Sequence, residues 1–229
     1  MANEKESAAD PRASRRRPRP RQRRSGGVRN ALVEAGLELA RRGGPDAVVL
    51  REVTRKVGVV PNAAYRHFRD RAALLAAVRD EAFRILAQRT GYRMNQVRQG
   101  PHTPTGARLR LRAVGASYLE FARLEPGLFD TAFAVSEHPL NSETDELSPF
   151  EHLRAGLDNL VEAGLLERSR RPNVEYPAWA AVHGLAVLLR GPLSQLSDEE
   201  KTQLEAEILD FIGAAVAQRK TASEKMTEA

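Results

Sequence analysis

Residues 50–68 read LREVTRKVGVVPNAAYRHF, two short helix-forming runs on either side of Gly58. Leu50, Val53 and Val57 recur at intervals of three and four, the period of one helix face. Gly58 permits a tight turn without a Cβ penalty. Pro61 suits the first position of a second, very short helix carrying Ala64, Tyr65 and Phe68. Two short helices meeting at such a turn have the geometry of a helix-turn-helix, with small buried contacts from Val53, Val57 and Val59. The second helix then exposes Pro61, Asn62, Ala63, Arg66 and His67.

Charge is distributed to match. The chain of 229 residues carries a formal net charge of +6. Residues 1–27 hold nine basic and three acidic side chains, and residues 28–79 hold ten and five. The remainder, 80–229, has 17 basic against 22 acidic residues. A basic tail and a basic first domain ahead of an acidic body point to a polyanionic partner for the first part only. The tail RASRRRPRPRQRRSGG has almost no apolar residue, so it is expected to be a disordered arm ending at a Gly26-Gly27 hinge. Such an arm suits phosphates or an adjacent minor groove. General arginine richness is the alternative, since Arg outnumbers Lys 31 to 5 throughout.

Helical periods dominate the rest, and strand-like alternation is nearly absent. Ala31, Leu32, Ala35, Leu39 and Ala40 mark a first helix that stops at Gly43-Gly44-Pro45. A longer helix from Arg71 uses Leu74, Leu75, Val78, Ala82 and Ile85, followed by a polar turn over about 99–106. Another spans about 107–125, with Leu111, Val114, Tyr118, Phe121 and Leu124 on its apolar side. Pro126-Gly127 breaks it ahead of a short helix with Leu128, Phe129 and Phe133, and 136–147 reads as an acidic loop. Ser148-Pro149-Phe150-Glu151 and Ser197-Asp198-Glu199-Glu200 are capping boxes, each starting a helix. Residues 177–190 are apolar nearly all round, and such a helix must be covered, here by a partner subunit. The expectation is an all-α chain of about nine helices.

Several functions are excluded or disfavoured. With no cysteine there is no disulfide framework, thiolate zinc site or cysteine nucleophile. Apolar stretches such as Gly184 to Leu189 fall far short of a transmembrane span, and no apolar region follows the basic N-terminus as in a signal peptide. A cytoplasmic protein is expected, without membrane partner or cofactor. His67, His102, His138, His152 and His183 show no metal-ligand spacing, and no phosphate-binding glycine loop or nucleophile elbow is present. The chain reads as a non-enzyme without a metal.

The helix-turn-helix stretch resembles the TetR/AcrR family of transcriptional regulators. The matching elements are Arg51-Glu52-Val53, Gly58-Val59-Val60, Tyr65-Arg66-His67-Phe68, and Asp70-Arg71 ahead of Leu74-Leu75. The resemblance implies a three-helix DNA-binding domain over 28–78 and a helical effector-binding and dimerisation domain over 79–217, with a disordered tail at 218–229. It implies that Arg51 reaches double-stranded DNA and that Pro61, Asn62 and Ala63 begin the recognition helix, with Arg66 beside them. It further implies that Tyr65, His67 and Arg71 contact the phosphate backbone. Asn62 could pair with an adenine and Ala63 could touch a thymine methyl. Tyr65 and Phe68 also read as core packing. Val60 departs from the family's Ser or Thr cap, at a cost of about 1 kcal/mol. Thr54 replaces the usual Ala, which is tolerated if its hydroxyl bonds the preceding turn.

Farther on, Tyr118-x-x-Phe121-Ala122, Pro126-x-Leu128-Phe129 and Trp179-x-x-x-His183-Gly184 resemble a TetR subgroup marked by a Trp-His-Gly motif. That implies an effector pocket drawing on Phe83, Tyr118, Phe121, Phe129, Phe133, Phe150, Trp179 and His183. The alternative is that His183 is a satisfied core histidine and the rings are ordinary packing. Gly184 would let a neighbouring helix approach. The family pattern also implies that 177–190 and 199–217 build a four-helix homodimer interface. The resulting expectation is a homodimeric repressor released from its operator by a small effector. A non-specific, nucleoid-type binder driven by the arm is the competing one.

Overall fold

In the computed structural model the described residues are 25–134 and 148–217. The expected loop at 136–147, the expected tail at 218–229 and residues 1–24 of the expected arm at 1–27 lie outside them. Among the described residues there are nine α-helices, two 3₁₀ turns and no strand. In chain order they are α1 (Ser25–Gly43), α2 (Leu50–Val57), α3 (Pro61–Tyr65), α4 (Arg71–Asn95) and α5 (Pro104–Leu124). Then come α6 (Pro126–Phe133), α7 (Pro149–Glu162), α8 (Glu175–Arg190) and α9 (Asp198–Ala217).

Two starts differ from expectation. α1 begins at Ser25 and takes in Gly26 and Gly27, so the expected hinge is helical backbone. The pair costs helix propensity, about 1 kcal/mol per glycine, while Val28 immediately after it packs on the core. α5 begins at Pro104 because Thr103 caps it, its hydroxyl accepting the Gly106 N–H at 3.1 Å. The expected caps are present at Ser148, which accepts from Glu151 N, and at Ser197. Ser197 and Glu200 bond reciprocally: Glu200 N donates to Ser197 Oγ at 3.2 Å, and Ser197 N to Glu200 Oε2 at 2.8 Å.

α1, α2 and α3 pack around Leu32, Val53, Ala64 and Phe68, all buried. α4 is about 37 Å long at 1.5 Å per residue and packs against α1, α5, α6 and α7. The expected division at 78/79 falls inside this helix, so both halves share it and one continuous core runs from Leu32 to Val216. Arg79 is buried on α4, where its Nε donates to the Ala132 carbonyl at 3.1 Å and its guanidinium lies over Phe83. α8 buries only Ala178, Val182 and Ala186 among its apolar side chains. Ala180, Val187 and Leu188 stay exposed, and Phe211 of the adjoining α9 is 66% exposed.

Candidate nucleic-acid interface and effector cavity

The turn between α2 and α3 is built by Gly58. Its φ of +74° is left-handed backbone, which lets the N–H groups of Gly58 and Val59 both reach the Thr54 carbonyl, at 2.9 and 3.1 Å. Among the described residues a Cβ there would touch nothing within 4 Å, so the demand for glycine is conformational. Thr54 is buried, and its hydroxyl donates to the Arg51 carbonyl at 2.9 Å, the local bond that tolerating it required. Val60 gives α3 no side-chain cap, and Pro61 begins the helix.

α3 divides cleanly. Ala64 and Phe68 are buried, with the Arg29 guanidinium 5.2 Å from the Phe68 ring centre. Pro61, Asn62, Tyr65 and Arg66 are exposed, spaced so that they share one side of the helix. Ala63 and His67 are half-buried. Arg51 is exposed and, like Arg66, makes no ion pair within the described residues. Its neighbours are engaged: Arg55 pairs with Glu52 at 2.7 Å and Lys56 with Glu38 at 2.6 Å. The Lys56 ammonium holds the Glu38 carboxyl below its usual range.

Arg71 is placed differently from the implied phosphate contact. Its Nε donates to the Val48 carbonyl at 2.9 Å and its Nη2 to the Pro45 carbonyl at 2.6 Å. Arg71 therefore clamps the 3₁₀ turn Pro45–Ala47 to the head of α4, beside Asp70, which caps that helix by accepting from Ala73 N.

A cavity of about 890 Å³ lies among α1 and the helices from α4 onward. Phe83, Tyr118, Phe133, Phe150 and Trp179 line it, with Leu111, Val114, Leu160, Val182 and Ile212 as its buried aliphatic wall. The rings form one connected cluster. Phe83 meets Phe133 edge-on at 5.2 Å, Phe133 lies 5.5 Å from Tyr118, and Phe150 is 6.1 Å from Trp179. Phe129 and His183 stand just behind the lining, stacked at 5.7 Å. Phe121 stands apart: it is fully buried, does not line the cavity, and has the Arg89 guanidinium 5.7 Å from its ring centre. Its place on the apolar side of α5 looks the same in sequence as that of Tyr118, three residues earlier.

A polar relay crosses the aromatic cluster. The Tyr118 hydroxyl lies 2.7 Å from Nδ1 of His183, and the Trp179 Nε1–H donates to the Tyr118 oxygen at 3.4 Å. Burial pushes the phenol well above its ordinary range and the imidazole below its own, so both partners of this bond are neutral. At the outer part of the cavity lie Arg29, Arg84, Arg108 and Arg112 with Glu34, Asp80, Glu81 and Asp210, all exposed or half-buried. Arg84 pairs with Glu81 and Arg112 with Asp210.

α6 joins this cavity to the first helices. Phe129 and Phe133 face the aromatic cluster, while Gly127 abuts the end of α1. Glu125, at the head of α6, accepts from Arg41 of α1 at 3.0 Å and from Arg89 of α4 at 2.8 Å. Arg190 of α8 forks onto Asp130 of α6, with Nη2 and Oδ2 2.6 Å apart. The sequence reading missed this role and saw Pro126-Gly127 as a helix break; the proline's place ahead of a small residue was its only signal. Among the described residues no cluster of His, Asp or Glu could hold a metal ion, and no helix is long and apolar enough to cross a membrane.

Comparison with known proteins adds two family matches. Residues 32–78 match the model described as bacterial regulatory proteins, tetR family, and residues 111–212 match the tetracyclin repressor-like C-terminal domain. No curated protein sequence matches the chain significantly. Among solved structures, a protein of unknown function from Rhodococcus sp. RHA1 superposes with a TM-score of 0.63 at 23% identity, over 83% of this chain and 96% of that one. A tetR-family transcriptional regulator from Streptomyces coelicolor superposes with a TM-score of 0.54 at 23% identity, over 82% of each chain. Both likenesses concern the fold.

Proposed function

The chain belongs to the TetR family of bacterial transcription regulators, and from that premise we propose that it is a homodimeric repressor released from its operator by a small molecule. The observation that carries this reading is the backbone contact of α6 on α1. The element that walls the aromatic cavity also bears on the helix that supports the helix-turn-helix. A ligand that favours one position of α6 would favour one setting of α1, and a shift in DNA affinity requires that difference.

In this reading residues 28–78 bind DNA and 79–217 bind the effector and the second subunit, with 1–27 and 218–229 as flanking tails. Asn62 and Ala63 read bases at the start of α3, with Pro61 seating the helix. Arg51, Tyr65, Arg66 and His67 hold phosphates, and the exposure of the first three, with His67 half-exposed between them and the core, supports that assignment. Tyr118, Trp179, Phe83, Phe133 and Phe150 form the pocket, with Phe129 and His183 behind them. The exposed apolar side chains of α8 and α9 are the subunit interface. Among the described residues nothing comes within 4 Å of a Cβ added at Gly184, so the neighbour it admits would be the partner's helix. The protein acts in the cytoplasm, on the nucleoid.

Selection of bound fragments from a random DNA pool by the purified full-length protein tests the proposal. Recovery of a two-fold related site, bound far more tightly than random duplex at near-physiological salt, is the expected result. Binding without sequence preference would overturn it. The concentration of nine basic residues in 1–27 favours a second reading, a non-specific binder driven by its arm. A chain starting at Ser25 separates the two: the repressor keeps its sequence preference, and the non-specific binder loses most of its affinity.

A further inference from the structure

The cavity wall gives chemical information about its occupant. Among the described residues, none of the charged side chains lining it is buried, and its buried surface is aliphatic or aromatic apart from the Tyr118 hydroxyl. An ion set against that surface would lose its hydration and gain no buried counter-charge, a penalty of several kcal/mol. At the outer end the four arginines are matched by four carboxylates among the described residues, so no net charge there selects an anion or a cation. Two of those pairs are already closed on each other.

The polar part of the wall is equally specific. The Tyr118 hydroxyl shares one hydrogen bond with His183 Nδ1 at 2.7 Å; as donor in that bond its oxygen accepts toward the cavity, and as acceptor it turns its own proton there. The Trp179 N–H is held by the same oxygen at a long 3.4 Å and is available to a better acceptor. Beside the Trp179 donor, either arrangement of Tyr118 is complemented by a hydroxyl group, which gives and takes a hydrogen bond through one atom. The rings around them meet one another edge-on or tilted, arrangements that a flat aromatic guest extends.

We propose that the cavity binds an uncharged, flat aromatic compound of roughly two to four rings, whose hydroxyl sits between Tyr118 and Trp179. A volume of about 890 Å³ suits a ligand of that size. This names the chemistry of the effector proposed above and rests on that reading for its regulatory consequence.

Equilibrium dialysis of the full-length protein against four probes of one shape tests it: 2-naphthol, naphthalene, 2-naphthoate and 2-naphthylmethylammonium. 2-Naphthol should bind about tenfold more tightly than naphthalene, the worth of about one net hydrogen bond, and the two ions should bind more weakly than either. Tyr118→Phe should bring 2-naphthol down to the affinity of naphthalene while leaving naphthalene unchanged, and Trp179→Phe should narrow the gap. Tightest binding by either ion, equal binding of 2-naphthol and naphthalene, or no binding of any probe overturns the proposal. A parallel measurement of release from DNA fragments selected by the protein separates the two readings. Hydroxyl-dependent binding without DNA release would uphold the ligand class and remove the effector role.

Discussion

A Cβ on Gly127 would lie 2.1 Å from the Ala40 carbonyl oxygen, so α6 meets the last turn of α1 backbone to backbone. Gly127→Ala must push the two helices apart. Overpacking of this kind costs on the order of 1–3 kcal/mol, which for a chain of this size lowers Tm by several degrees. Thermal unfolding followed by circular dichroism checks it. An unchanged Tm would show that the contact yields freely and cannot carry a signal.

Gly58 makes the opposite case, since space is free and only the backbone is demanding. Gly58→Ala should cost roughly 1–2 kcal/mol through the left-handed conformation alone and weaken DNA binding by resetting α3. Urea unfolding and DNA titration should move together. A stable variant that still binds DNA normally would mean that the turn can be made another way.

Arg71 and Arg66 should separate in their readouts. Arg71→Lys can hold only one of the two carbonyls at once, so it should lower stability by about 1 kcal/mol. The salt dependence of DNA binding should stay unchanged. Arg66→Ala should leave stability alone and reduce the slope of log K against log salt by about 1.8, one phosphate contact from each subunit of the dimer. A reduced slope for Arg71→Lys would restore the phosphate contact that the family resemblance implies.

Protonation of His183 gives a pH dependence of known sign. Burial lowers its folded pKa, so below the ordinary imidazole value the unfolded chain takes up a proton that the folded chain resists. The stability from neutral His183 is complete above that value and is lost as pH falls toward the folded one. Unfolding free energies measured between about pH 7.5 and about pH 5.5 should fall more steeply for the natural chain than for His183→Asn. Parallel curves would show that the relay does not depend on a neutral imidazole.

The exposed Phe211 on α9 supplies a test of assembly. Phe211→Glu should shift the sedimentation of the protein from dimer toward monomer while leaving the helical content of each chain unchanged. A dimer as stable as the natural one would place the subunit interface elsewhere.

What could be read in the sequence was what local chemistry determines. The reciprocal bonds of Ser197 and Glu200 lie within four residues, and Gly58 acts through its own φ, so both were legible without the fold. The Thr54 hydroxyl bond was legible for the same reason. Arg71 was not, because its partners Val48 and Pro45 lie 23 and 26 residues away, and only packing brings them to its guanidinium. Phe121 and Tyr118 share an apolar face, and no local signal says that one ring meets the cavity while the other fills the core. The role of Gly127 was hidden by its neighbour, since a glycine after proline already has a sufficient local explanation as a helix break.

The chain contains a single tryptophan, and it stands in the cavity wall. All of the protein's indole emission therefore originates at that wall, within reach of the phenol and imidazole that surround it. An occupant of the cavity will change the intensity or colour of that light, so the molecule carries a built-in optical gauge of its own occupancy that needs no attached dye.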